Sequence, residues 1–234
     1  MKTWREFPEL WMLAAATASF IIVHVGVAST PLRAVLLRRL GEQPYRGLYS
    51  LLALATLVWA ARSFAAAPHV FLWVVPPALK LLPAVLMPML LFFLVAGVTT
   101  ANPAGLAAPG KARSGDPARG ILRVTRHPVQ WAILVWALLH VGATGHLAAL
   151  IFFGGLALLA GAGTMLIDRR RRASLGAPWE RFASVTSNVP FAAILAGRNR
   201  LAWREIGWLP AAGAAVLYLA LLAFHAGIFG KMPY

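Results

Sequence analysis

Long apolar runs separated by short polar or basic intervals make up most of the chain. Six of them, at residues 10–29, 47–64, 83–100, 128–143, 147–167 and 206–229, have the length to cross about 30 Å of hydrocarbon at about 1.5 Å per residue. Backbone polar groups in lipid must be satisfied within the segment itself, so each run predicts an α-helix. The fold expected is an all-α, polytopic membrane helix bundle of about six transmembrane helices, forming a single domain over residues 1–234. The first run is longer than a signal-peptide core, follows Glu6 and Glu9, and lacks a small-residue cleavage site clear of the next basic loop. It reads as a retained span.

The intervals carry their own expectations. Pro76, Pro77 and Pro83 bracket FLWVVPPALKLL, which predicts an interfacial segment with Trp73 and Lys80 near headgroups, and Pro88 predicts a kink in the third span. Residues 101–119, rich in Gly, Pro and Ala, read as a loop. Only a few residues around Gly142 to Gly145 join the fourth and fifth spans, which forces an antiparallel hairpin. Ala157 and Gly161 stand four apart and predict the close approach of another helix.

Charge settles the orientation. The chain is 60% hydrophobic with 12% charged residues, too apolar for a soluble domain of 234 residues, yet its net charge is +15. Seventeen of the 22 Lys and Arg fall between spans one and two, three and four, or five and six. The positive-inside rule then places both termini outside and three basic loops in the cytoplasm of a bacterial inner membrane. The basic surplus follows topology and meets the lipid bilayer, including its anionic headgroups, so no nucleic-acid partner is expected. Cysteine is absent, which excludes disulfides, iron–sulfur clusters, thiolate-ligated haem and thiol catalysis.

The polar residues inside apolar runs are the candidates for chemistry. His24 interrupts the first span and His140 the fourth, and neither stretch offers a charged partner. Their depths differ by about 10 Å at 1.5 Å per residue; helix tilt and a macrocycle between them would absorb that offset where a single small ion would not. The pair therefore points to haem, with His24 and His140 as catalytic residues and metal ligands, and each donating only to a helix carbonyl as the structural alternative. Trp136, one turn before His140, would stack on the porphyrin edge, while Arg33, Arg38 and Arg126 would meet propionates. Thr125 to Pro128, T-R-H-P, opens the fourth span and puts Arg126 and His127 at a helix N-terminus, either as a plain helix start or as an anion site for the cofactor. The hairpin should return Asp168 to Arg126 and His127 as an ion pair, with an orienting acid–base role for Asp168 as its functional version. His146 and His69 read as solvated on the outer side, and His225 is a rival ligand.

The block DPARGILRVTRHPVQWAILVWALLHVGATG, the later DRRRRASLGAPWERFASVTSNVPFAAILAGR and the opening HVGVASTPLR to LGEQPYRGLYSLL resemble the NnrU family of bacterial membrane proteins over nearly the whole chain. The same pattern resembles zeta-carotene isomerase, an integral-membrane haem b enzyme that converts a central cis double bond of a carotene to trans. That resemblance implies haem b ligation by the histidines matching His24 and His140. It also implies a cysteine three residues before the second, where this chain has Ala137. The expected function is a haem-dependent isomerase acting on a lipophilic polyene, with exchange of one axial histidine. Two alternatives stand beside it: a non-catalytic haem protein linked to nitrite and nitric oxide metabolism, as the NnrU resemblance implies, and an S-adenosylmethionine-dependent membrane methyltransferase using Arg126 and His127.

Overall fold

The computed structural model describes residues 7–27, 30–105 and 118–230. Its elements in chain order are α1 (Pro8–Ile22), continued by a wider π-helical turn (Val23–Val27), α2 (Leu32–Leu40), α3 (Glu42–Ala66) and α4 (Pro77–Thr99). A 3₁₀ turn (Gly120–Arg123) precedes α5 (Pro128–Thr144), α6 (Leu147–Leu175), α7 (Ala177–Val185), α8 (Ala192–Leu195), α9 (Trp203–Ile206) and α10 (Leu209–Phe229). Pro8, Pro77, Pro128, Pro178 and Pro210 each lie in a first helical turn, where a missing N–H leaves no gap in the ladder.

Among the described residues, five helices are long and apolar enough to cross a membrane: Pro8–Val27, Glu42–Ala66, Pro77–Thr99, Leu147–Leu175 and Leu209–Ile228. The fourth expected span is the apolar 17-residue helix Pro128–Thr144, which covers about 26 Å. The chain is thus a helical, multi-pass membrane protein. One boundary differs from the sequence expectation. PALKLL is not a separate interfacial piece, because α4 starts at Pro77 and runs through Pro83 and Pro88 to Thr99. Proline within a membrane helix removes single hydrogen bonds without ending it, since neighbouring groups can re-satisfy the freed carbonyls.

The contacts divide the chain into two compact units, one comprising Met1–Lys80 with Ala137–Leu159 and the other Leu81–Trp136 with Ala160–Tyr234. In the first, α1 packs on α3, and Leu13 and Ala16 of α1 and Ala60 of α3 are fully or almost fully buried. The close helix approach occurs at Gly155, where an added Cβ would overlap the Thr17 methyl; the expected Gly161 has only ordinary contact, 3.9 Å to Leu134. The α5–α6 turn is held by hydrogen bonds from Leu72 N–H to the Gly145 carbonyl (2.8 Å) and from Leu147 N–H to the Val70 carbonyl (2.8 Å). Gly145 has φ +69°, and a Cβ there would meet the Trp73 carbonyl oxygen at 2.8 Å, so this turn requires glycine. In the second unit, Ile121, Leu122, Val124, Trp179 and Phe182 form a buried cluster with Ala96 and Ala104. Burial of each large member contributes about 1.5–3 kcal/mol.

Candidate functional site

His24 sits in the π-helical turn that ends α1. A wide turn of this kind often marks a functional position. The imidazole Nδ1 lies 2.9 Å from the Phe20 carbonyl oxygen. A carbonyl only accepts, so Nδ1 carries the proton and Nε2 keeps its lone pair, the tautomer a metal-binding imidazole needs. The helix carbonyl of the structural alternative is therefore also the group that prepares the other nitrogen. Aromatic rings wall this imidazole, Phe20 at 4.2 Å and Tyr49 at 5.8 Å between ring centroids. Tyr45 stacks beyond Tyr49, and the Arg33 guanidinium lies over the Tyr45 ring at 5.7 Å.

His140 lies one turn before the end of α5, in the same unit as His24. Its ring is 4.8 Å from that of Phe153, which in turn meets Phe64 at 5.3 Å. The two histidines belong to different levels of α3: Tyr49, beside His24, and Phe64, beside Phe153, are separated by about 22 Å along that helix. The rings beside His24 and beside Phe153 thus belong to positions about four turns apart on α3. Two imidazoles on one iron need nitrogens about 4 Å apart, twice a metal–nitrogen bond. The breadth of a porphyrin does not relax that requirement, contrary to the sequence argument, because both ligands bind the same atom. The lone pair on His24 Nε2 suits an iron ligand, whereas His140, on another level of α3, would reach the same atom only if that level difference closed.

The T-R-H-P motif forms a separate site in the second unit. Arg126 Nε donates to both oxygens of Asp168, at 3.1 and 3.0 Å, and Nη2 donates to Oδ2. His127 Nε2 donates to Asp168 Oδ1 at 2.7 Å, and the histidine is 1% exposed. The hairpin brings these three together as expected. Segment Thr186–Phe191 then locks onto the motif: Arg126 N–H donates to the Ser187 carbonyl (3.0 Å), Trp131 Nε1 to the Asn188 carbonyl (2.8 Å) and Phe191 N–H to the Val124 carbonyl (2.8 Å). Asn102 Nδ2 donates to the Arg126 carbonyl at 2.9 Å. Arg126 is therefore occupied by Asp168 and has little left for a propionate. Trp136 lies on α5 four residues before His140, and His225 is half-buried on α10, in the other unit from His24.

The family described as NnrU protein matches residues 12–233. The chain belongs to the NnrU family. It is 30% identical over 233 residues, 97% of its own length, to a protein of Arabidopsis thaliana named 15-cis-zeta-carotene isomerase, chloroplastic. A Zea mays protein of the same name is 30% identical over 189 residues, 79% of the chain. The chain spans 60% and 50%, respectively, of the lengths of these two relatives. No solved structure matches it.

In this NnrU-family chain several residues hold places that their sequence context does not announce. His146 is not solvated: it is 5% exposed, and its Nδ1 accepts from Ala149 N–H (3.1 Å) in the first turn of α6. A histidine directly before an apolar run was the available signal for that cap. Asn188 and Asn102 join the T-R-H-P network, and only their presence in SNVP and NPAG hinted at it. Glu205, bound to Arg123 Nε and Nη2 at 2.8 Å each, had no sequence signal.

Proposed function

We propose that this chain is a haem b protein of a bacterial cytoplasmic membrane that acts on a lipophilic polyene as a cis–trans isomerase of the carotenoid class. The observation that carries the reading is the His24 tautomer, held by Phe20 so that Nε2 is presented as a donor, in a family whose relatives include proteins named as carotene isomerases. When bound, haem supplies a redox-active Lewis acid next to the substrate. His24 would hold the iron, with Phe20 and Tyr49 excluding water from the ring. His140, on a different level, would be the exchangeable ligand, since any geometry that must close a gap binds less firmly. The thiol that the isomerase resemblance implies three residues before His140 is the fully buried Ala137, so no thiolate takes part in that exchange.

Absorption spectra of the purified protein, oxidised and then reduced, test the haem claim. Wild type should show the sharp split bands of six-coordinate haem, His24→Ala should lose the pigment, and His140→Ala should keep it with altered coordination. Colourless wild-type protein purified under haem-replete conditions would end the proposal. Expression in a host that accumulates the cis carotene tests turnover: the all-trans fraction should rise, and an unchanged isomer profile on chromatography removes the enzymatic part alone. A second reading, a haem protein without turnover that responds to nitric oxide, draws on the absence of that thiol. It predicts a spectrum altered by nitric oxide and an unchanged carotene profile. The methyltransferase reading needs Arg126 and His127 at an accessible face, whereas both are engaged by Asp168 and His127 is buried.

A further inference from the structure

Residues 189–209 lead into α10 and expose an unusual number of large apolar side chains: Val189, Phe191, Leu195 (85%), Trp203 and Trp208 (73%) among them. Arg198, Arg200 and Arg204, all exposed, alternate with these. Arg198 is held by the end of α7, its Nη1 donating to the carbonyls of Ser184 (2.9 Å) and Thr186 (3.0 Å). Arg200 and Arg204 have no hydrogen-bond or ion-pair partner among the described residues. The adjacent acid does not neutralise them. Glu205 is held by Arg123 and by the Gly120 N–H (3.0 Å), and Ile206 packs on the buried cluster around Trp179. Helix α9 is therefore pinned by Glu205 and Ile206 and displays Trp203 and Arg204. Connectivity fixes the depth: Trp208 is the residue before α10, whose span Leu209–Ile228 begins at once.

We propose that this surface is a binding site for anionic phospholipid headgroups. Arg200 and Arg204 pair with lipid phosphate, and Trp203, Trp208 and Leu195 seat among the glycerol and upper acyl carbons. Tryptophan favours that depth because its ring is apolar with one polar edge, and the arginine fork matches phosphate oxygens two at a time. A cation near an anionic leaflet gains about fivefold in affinity, so two should prefer an anionic over a zwitterionic lipid by about tenfold or more at low salt. Neither haem nor polyene enters the argument, so its failure would leave the proposed function untouched.

The test uses full-length protein in phosphatidylcholine vesicles in which a minority lipid carries bromine, either phosphatidylglycerol or phosphatidylcholine. Tryptophan fluorescence of wild type minus that of Trp203→Phe/Trp208→Phe isolates these two rings among the nine tryptophans of the chain. Brominated phosphatidylglycerol should quench that component several-fold more strongly, high salt should remove the difference, and Arg200→Gln/Arg204→Gln should abolish it at an unchanged melting temperature. Equal quenching by the two lipids at low salt, no quenching at all, or a preference that survives in the folded arginine variant would each overturn the proposal. The salt dependence of wild type decides the matter even where a variant fails to fold.

Discussion

Asp168→Leu removes the acceptor that the T-R-H-P motif is built around. It would leave the Arg126 guanidinium, in a side chain 13% exposed, and the Nε2 proton of fully buried His127 without a carboxylate. Breaking a buried pair from one side costs about 3–5 kcal/mol, because the remaining charge is uncompensated. The lower end applies here, since the arginine stem can carry its head toward water at the basic end of α6. A loss of about 3 kcal/mol corresponds to a melting temperature lower by about 6–12 °C for a chain of this size. Arg126→Leu should cost somewhat less, since His127 still satisfies Asp168. The decisive variant carries both changes. Removing both leaves no orphaned guanidinium, only the His127 N–H unpaired as in Asp168→Leu, so its loss should fall short of the sum of the single losses by about 2 kcal/mol. Thermal unfolding in detergent, followed by circular dichroism and tryptophan fluorescence together, measures all three. Additive losses, or a cost below about 1 kcal/mol for Asp168→Leu, would show the pair behaving as a solvated surface bridge and refute the reasoning.

Two further outcomes follow from local geometry. Hydrogen bonds from Arg123, with a further one from Gly120 N–H, lower the Glu205 carboxyl from 4.5 to about 2. A depressed folded-state value contributes stability that is present above pH 4.5 and lost as pH falls toward 2, so the stability gap between wild type and Glu205→Gln should shrink across that window in pH-dependent melts. Gly145→Ala forces a Cβ onto a positive-φ residue and against both the Trp73 carbonyl and Val75, at 2.8 and 2.7 Å, and should cost about 2 kcal/mol or more, seen as a melting temperature lower by about 4 °C or more.

The spans were readable because lipid permits so little else: an apolar run that must satisfy its own backbone becomes a helix, and the run containing His24 and the run that ends before Asp168 did so. The meeting of Arg126, His127 and Asp168 was readable for a second reason, since a turn as short as Gly142–Gly145 returns the chain beside itself. Longer connections carry no such constraint. Asn188 reaches Trp131 across 57 residues and Glu205 reaches Arg123 across 82, and nothing local fixes either pairing. The α4 start failed for a different reason. Proline at 83 and 88 ends helices in water, but the penalty depends on whether the freed carbonyl finds another donor, which a linear reading cannot see.

The six histidines show why a site cannot be chosen by residue type or depth alone. In each, one ring nitrogen's partner decides what the other can do. His146 Nδ1 accepts from an amide N–H, so its Nε2 carries the proton and the ring works as a helix cap. His127 Nε2 donates to a carboxylate, and its Nδ1 is buried without a hydrogen-bond partner, so this ring belongs to the Asp168 network. His24 combines a carbonyl on Nδ1 with a half-buried ring at a wide helical turn, so its lone pair is both formed and reachable. His24 and His140 both interrupt apolar runs, but they stand beside different levels of α3. With its Nδ1 on the Phe20 carbonyl, His24 presents a formed lone pair, which is why loss of His24 should cost the pigment where loss of His140 should change only how the iron is held.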